Sequence, residues 1–246
     1  YHRGTGKVVA LNIRILLAVV FLSGILSGRL NLQGLLTDYR ELNQKVEELG
    51  ERKRFLTLVN RQHPLSEDYV PNLTPTAQRP DIQMDAAACE ALEKMLEAAL
   101  EEGYTIIIAS GYRDREYQEG LLDEDIASAM GRGMTYEEAY RYVTQETMPP
   151  GCSEHETGMA ADLVSPSNQV LNEGQADTPE NRWLLEHCAE YGFILRYPED
   201  KEAITMVSYE PWHFRYVGVW AAEKIMEQNL TLEEYIYQMV NREESY

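Results

Sequence analysis

No CxxC pair occurs in this sequence. Its cysteines are only three, Cys89, Cys152 and Cys188, an odd and widely spaced set that argues against a disulfide framework or a cysteine-rich metal site. They are expected to serve as small buried apolar residues; a Cys152–Cys188 bridge would require an exported domain. Basic residues are scarce as well. Lys and Arg total 22 against 41 Asp and Glu, giving a formal net charge of −19. Such a surface repels phosphate backbones, so nucleic acid is not expected as a partner. Internal repeats and low-complexity tracts are missing, which removes solenoids and compositionally biased chains. What remains is an ordinary globular composition, 44% apolar and 26% charged, in 246 residues. That length suits one substantial domain plus an appendage.

The appendage is at the N-terminus. His2, Arg3 and Lys7 precede an apolar run from Val8 to Leu26, whose uninterrupted part is Ile15–Leu26. The longer run reaches the roughly 20 residues of a span but includes Asn12 and Arg14. Arg14 lies near one end, where it can snorkel to headgroups. No A-x-A cleavage site follows, and Leu22-Ser23-Gly24 leads to Ile25 rather than a lipoprotein cysteine. Residues 1–30 therefore read as a signal anchor in the cell membrane, with a cleaved signal peptide and a secreted product as the alternative. Positive charge before the run places the remainder outside. Residues 31–56 read as a helical stalk: Leu35, Tyr39, Leu42, Val46, Leu49 and Leu56 keep a heptad-like spacing, interrupted by Lys53 and weakened by Gly50. This is short for a coiled coil. It supports either weak self-association or one helix lying on the domain. Residues 57–246 form the main domain.

That domain opens with an extended segment, because Pro64, Pro71, Pro75 and Pro80 break any long helix. A helix is expected over Met84–Glu102, with Ala88, Leu92, Met95, Leu96 and Leu100 at helical spacing and Gly103 ending it. Thr105–Ala109 reads as a buried strand, and Arg115–Met130 as a helix. Thr135 and Glu138 form a capping box. Met159–Val164 can be a strand. Thr178 and Pro179 start a helix that runs to about Tyr191 and is closed by Gly192. Phe193–Arg196 and His213–Val217 read as strands, and two helices finish the chain, the last capped by Thr231 and Glu234. Without regular βαβ alternation, the fold class is α+β with a small antiparallel sheet flanked by helices.

Three patches carry chemistry. They are Ser153-Glu154-His155-Glu156-Thr157-Gly158-Met159-Ala160-Ala161-Asp162, Glu210-Pro211-Trp212-His213-Phe214-Arg215-Tyr216, and Ser110-Gly111-Tyr112-Arg113 with Tyr117-Gln118. Zinc accepts imidazole nitrogen and carboxylate oxygen, and a catalytic site uses three protein ligands plus water. A turn at Gly158 lets His155 and Asp162 converge, and His213 is available as a third ligand. Glu210, held off by Pro211, is placed to reach a water without ligating. From spacing alone, each histidine also reads as an ordinary structural residue.

Ser-x-His-x-x-Gly-x-Ala-x-Asp, followed about fifty residues later by Glu-Pro-Trp-His, resembles the VanY-type D-alanyl-D-alanine carboxypeptidase family. Ser-Gly-Tyr-Arg with its Tyr-Gln, and the segment from Leu58-Val59-Asn60 through Leu65 to Tyr69-Val70-Pro71, resemble that family too. The likeness covers roughly Leu58 to Gly218. It implies a Hedgehog/D,D-peptidase-like fold holding Zn2+ through His155, Asp162 and His213. It further implies Glu210 as general base and Arg113 steadying the scissile carbonyl oxygen. Gln118 and Ser153 match substrate-contacting positions; Trp212 is a pocket wall or plain core. The implied substrate is the peptidoglycan stem peptide, losing its terminal D-Ala. An L,D-carboxypeptidase acting on the tetrapeptide and a non-catalytic wall-binding module are the alternatives. Cys152 and Thr205-Met206-Val207 depart from the pattern, which bears on substrate preference rather than on the ligand and base positions.

Overall fold

The computed structural model describes residue 44 and residues 48–243. The expected anchor, and most of the expected stalk, lie outside them. Among the described residues no helix is long and apolar enough to cross a membrane. The chain divides into two units, residues 1–51 and a compact unit from Arg52 onward that contains everything described below.

That unit is α+β. Two short strands, β1 (Leu73–Pro75) and β2 (Gln83–Asp85), form an antiparallel hairpin inside the segment expected to be merely extended. Each strand is only three residues long, and Pro75 sits at an edge, where its missing N–H interrupts no ladder. Helix α1 (Ala86–Glu101) follows at once, capped by the Asp85 carboxylate on the Ala87 N–H. Its buried stripe is Ala88, Leu92, Met95 and Ala99, steps of four, three and four. This corrects the expectation for Leu100, which is 62% exposed, because the stripe passes through its neighbour.

Four antiparallel strands make the main sheet in the order β3 (Ile107–Ser110), β4 (Ala160–Val164), β6 (His213–Tyr216), β5 (Phe193–Leu195). Side chains alternate across a strand. Ile108, Ala161, Leu163, Phe193 and Phe214 pack against α1 in the main core. Asp162, His213 and Arg215 thereby turn to the opposite face. The register sets Asp162 directly across from His213 on one side and Ser110 on the other. Helices α2 (Arg115–Gly131) and α3 (Tyr136–Val143) pack on each other, α3 with the expected Thr135–Glu138 capping box. Helix α4 (Pro179–His187) tightens into a 3₁₀ turn that ends at Gly192 in the left-handed region. After the single turn α5 (Glu202–Thr205) come α6 (Val219–Glu227) and α7 (Leu232–Glu243). The Thr231 hydroxyl and the Glu234 carboxylate accept from each other's backbone N–H, as expected for a capped start. All three cysteines are free; Cys89 and Cys188 are buried and Cys152 half-buried.

One turn decides whether the site can form. Gly158 has φ 73° and ends the 3₁₀ turn Glu154–Thr157. A Cβ there would lie 2.8 Å from the Asp85 nitrogen and 3.0 Å from Leu73 Cδ2. Gly158→Ala combines left-handed strain with a backbone clash, so it should destabilise the fold by about 1–3 kcal/mol or more. Denaturant unfolding of the two proteins reads this out; equal midpoints would mean the turn relaxes freely.

Candidate metal centre

His155 lies in the Glu154–Thr157 turn, Asp162 in β4 and His213 at the start of β6. The three are buried, and their ligand atoms all lie within 4.8 Å of one another. His155 Nε2 is 3.4 Å from Asp162 Oδ1, and His213 Nδ1 is 3.5 Å from the same oxygen. Ligands bound tetrahedrally to zinc at about 2.0–2.1 Å stand roughly 3.3 Å apart, so these separations suit one ion. Asp162 Oδ1 is buried and accepts no hydrogen bond, although a buried acceptor normally finds a donor. A cation is the partner this chemistry calls for.

The surroundings fix each group. His155 Nδ1 donates to the Gly111 carbonyl at 2.6 Å, which turns Nε2 toward the cluster. Arg113 holds the other oxygen of Asp162, with Nη2 donating to Oδ2 at 2.6 Å and Nε donating to Ser110 Oγ at 2.9 Å. Burial opposes the charge on Asp162, but His155 and Arg113 hold its carboxyl well below the usual range. Burial and the nearby Arg113 lower His155, favouring the neutral imidazole that ligates metal. Glu210, at the turn before β6, is 5% exposed, and its Oε2 lies 3.3 Å from His213 Nδ1. Burial pushes its carboxyl up, toward the range useful for proton transfer.

His213 responds differently. Burial again opposes its charge, but the carboxylates of Glu154, Glu210 and Asp162 push it up to about 9 in the metal-free protein. At pH 7 the metal-free imidazole therefore holds a proton that zinc must displace. Zinc uptake should release close to one proton, and apparent affinity should fall about tenfold per unit as pH drops below about 9. Calorimetric titrations in two buffers of different ionisation enthalpy test this; identical heats would contradict it.

A cleft of about 310 Å³ opens over the cluster. Arg113, Gln118, Ser153 and Trp212 line it with His155, Asp162, Glu210 and His213, so the structure brings these eight candidate site residues to one place. Gln118 is 1% exposed; its Nε2 donates to the Met148 carbonyl while Oε1 has no partner. Sequence reasoning missed Tyr197, whose ring lies 4.8 Å from that of His213, and Glu154, whose Oε2 lies 3.7 Å from His213 Nε2, with its ion-pair partners Arg196 and Arg215. The signal was available in two arginines amid apolar strand residues, Leu195-Arg196-Tyr197 and Phe214-Arg215-Tyr216.

A buried His–Asp–His cluster beside a glutamate, at the floor of a cleft on an antiparallel sheet, defines a zinc metallopeptidase of the α+β class. The sequence pattern of VanY, D-alanyl-D-alanine carboxypeptidase, matches residues 81–219. The putative carboxypeptidase YodJ of Bacillus subtilis (strain 168) is 38% identical over 201 residues, 77% of this chain and 70% of that one. A D-alanyl-D-alanine carboxypeptidase of Enterococcus faecalis is 39% identical over 197 residues, 77% of this chain and 68% of that one. Among solved structures, a mutant of the vancomycin resistance D,D-pentapeptidase VanY in complex with Zn(II) aligns with TM-score 0.67 at 38% identity, covering 74% of this chain and 99% of that one. The LdcB LD-carboxypeptidase aligns with TM-score 0.64 at 36% identity, covering 76% and 87%. The chain belongs to the VanY D-alanyl-D-alanine carboxypeptidase family, and it is a metallo-carboxypeptidase whose cofactor is zinc.

Proposed function

We propose that the protein removes the terminal D-alanine from peptidoglycan stem peptides ending in D-Ala-D-Ala, using zinc held by His155, Asp162 and His213. The observation that carries this reading is the convergence of those three ligand atoms on one point, with the Glu210 carboxylate beside them. Zinc, when bound, supplies Lewis acidity and lowers the pKa of its water from ~15.7 to about 7. Glu210 takes the proton of the attacking water and passes it to the leaving nitrogen, for which its raised carboxyl is suited. Arg113 has two of its five N–H groups committed to Asp162 and Ser110. The rest are available to the carbonyl oxygen as negative charge develops there, a contribution of about 3 kcal/mol for a donor of this kind. Gln118 and Ser153 offer polar contacts to the substrate, and Trp212 forms part of the cleft wall.

Mass spectrometry of pentapeptide and tetrapeptide muropeptides incubated with the zinc-loaded protein tests the reading. Loss of one alanine from the pentapeptide is the expected result. Loss from the tetrapeptide alone would make the enzyme an L,D-carboxypeptidase, the activity named for the similar LdcB structure. No loss from either would leave a wall-binding module.

The substrate class also suits a location outside the membrane. The charges before the Val8–Leu26 run support a single-pass anchor over residues 1–30, and the heptad-like spacing in 31–56 supports a stalk capable of weak self-association. Membrane fractionation and protease accessibility in intact cells would test this placement; a protein found only in the cytosol would contradict it.

A further inference from the structure

Glu154, which lines the cleft together with His213, belongs to a buried network of charges that the hydrolytic mechanism does not use. Glu154 is 1% exposed. Its Oε1 accepts a hydrogen bond from Arg196 Nε at 2.8 Å and forms an ion pair with Arg215 Nη1, also at 2.8 Å. Arg196 is gripped from the far side by Glu233 of α7, through Nη1 to Oε2 at 2.9 Å and Nη2 to Oε1 at 2.7 Å. Arg215 Nη2 donates to the carbonyls of Phe55 and Thr57 at 3.1 and 2.9 Å. Two arginines distant in sequence thus converge on a single carboxylate, each held in turn by a further segment, which is an expensive arrangement to bury.

The other oxygen of that carboxylate is unemployed. Glu154 Oε2 faces His213 Nε2 at 3.7 Å, and neither atom has a hydrogen-bond partner. The gap is too small for a water and about half an ångström longer than a hydrogen bond. Both atoms are buried, so each is costly to leave unpaired. The opposite nitrogen, Nδ1, looks into the metal cluster.

We infer that Glu154 is the positioning residue of His213, accepting a hydrogen bond from Nε2–H so that the ring presents Nδ1 to the metal. This rests on the metal-centre reading above. The two arginines clamp Oε1, and that leaves Oε2 fixed in direction. A carboxylate held in this way sets the tautomer and the ring angle together, and raises the basicity of the ligating nitrogen. His155 is held in the mirrored sense, its Nδ1 bound to the Gly111 carbonyl and its Nε2 offered to the cluster. The two imidazoles thus offer opposite nitrogens to the cluster, each with a support facing its other nitrogen. Glu154 and His155 are adjacent in the chain, so one 3₁₀ turn supplies a ligand and the support of another ligand.

Nitrogen-15 NMR of the histidine side chains in the zinc-loaded native protein tests the inference directly. The expected result is His213 metallated at Nδ1 with a proton on Nε2, shifted downfield by its carboxylate acceptor. Metal on Nε2 of His213, or a protonated Nε2 without that downfield shift, would overturn the inference and leave the metal centre standing. A His213 with no metal contact would overturn both. The companion variant is Glu154→Gln, loaded with zinc or Co(II). Zinc affinity, measured by competition with a chromophoric chelator, should weaken about 10–100-fold, and the visible Co(II) spectrum should change. A variant that is merely less stable, with affinity within twofold of native and an unaltered Co(II) spectrum, would reduce Glu154 to a structural ion pair. Should the variant fail to fold, the NMR result on the native protein decides alone.

Discussion

Glu210→Ala should yield a folded, zinc-loaded protein that hydrolyses a D-Ala-D-Ala-terminated peptide about 10³-fold more slowly than the native enzyme. The size follows from what a positioned proton carrier contributes, typically 10²–10⁴. Its separation from metal binding follows from the geometry. The Glu210 carboxylate lies beside His213 Nδ1, while the three ligand atoms that face one another come from His155, Asp162 and His213. Removing it deletes a base without opening the cluster. It also removes one of the carboxylates that raise the His213 imidazole, so less proton competition opposes zinc at that ligand. Kinetics and elemental analysis of the same preparation separate the outcomes. Turnover within tenfold of native would remove Glu210 from proton transfer; loss of zinc would make it a ligand.

Asp162→Asn should act in the opposite order, on the metal first. Asp162 is the anionic member of the three ligands, its Oδ1 lying 3.4 and 3.5 Å from the two imidazole nitrogens, and it also receives Arg113 at 2.6 Å. The amide keeps the shape and loses the charge. The variant leaves two imidazoles and a half-buried arginine around a site with no anionic ligand. Zinc affinity should drop by more than the roughly 100-fold that marks loss of an outer partner, and activity at limiting zinc should vanish. Adding zinc to the native protein stabilises it by about 4 kcal/mol at a thousandfold excess over Kd, a shift that should be nearly absent in the variant. Undiminished zinc stoichiometry after dialysis would mean that the ion sits elsewhere.

How far the sequence revealed this site depended on which physical rule was in charge. Helix starts were legible because capping is local: Thr135, Thr178 and Thr231 each accept from, or exchange bonds with, groups three residues away. The His155–Asp162 pair was legible because the left-handed turn at Gly158 and the strand after it are local as well. The row Ser110–Asp162–His213 was not, since it depends on the register of three strands separated by about fifty residues each. Arg113 was assigned to the substrate, and its bond to Asp162 appears only once that row exists. Nothing local in the sequence sets Glu154 apart from the chain's other acidic residues. Its burial comes with Arg196, just past the end of β5, and Arg215 of β6, both distant in sequence. The β1–β2 hairpin was hidden for a simpler reason: three-residue strands beside prolines carry almost no period.

Anomalous diffraction at the zinc edge, from crystals of the native protein grown with the metal, tests the central claim most directly. The expected result is a single strong peak about 2.0–2.1 Å from His155 Nε2, Asp162 Oδ1 and His213 Nδ1, with the Glu210 carboxylate close by but outside bonding distance. A peak bound by any other set of side chains, or three such residues that stay metal-free at saturating zinc, would contradict it.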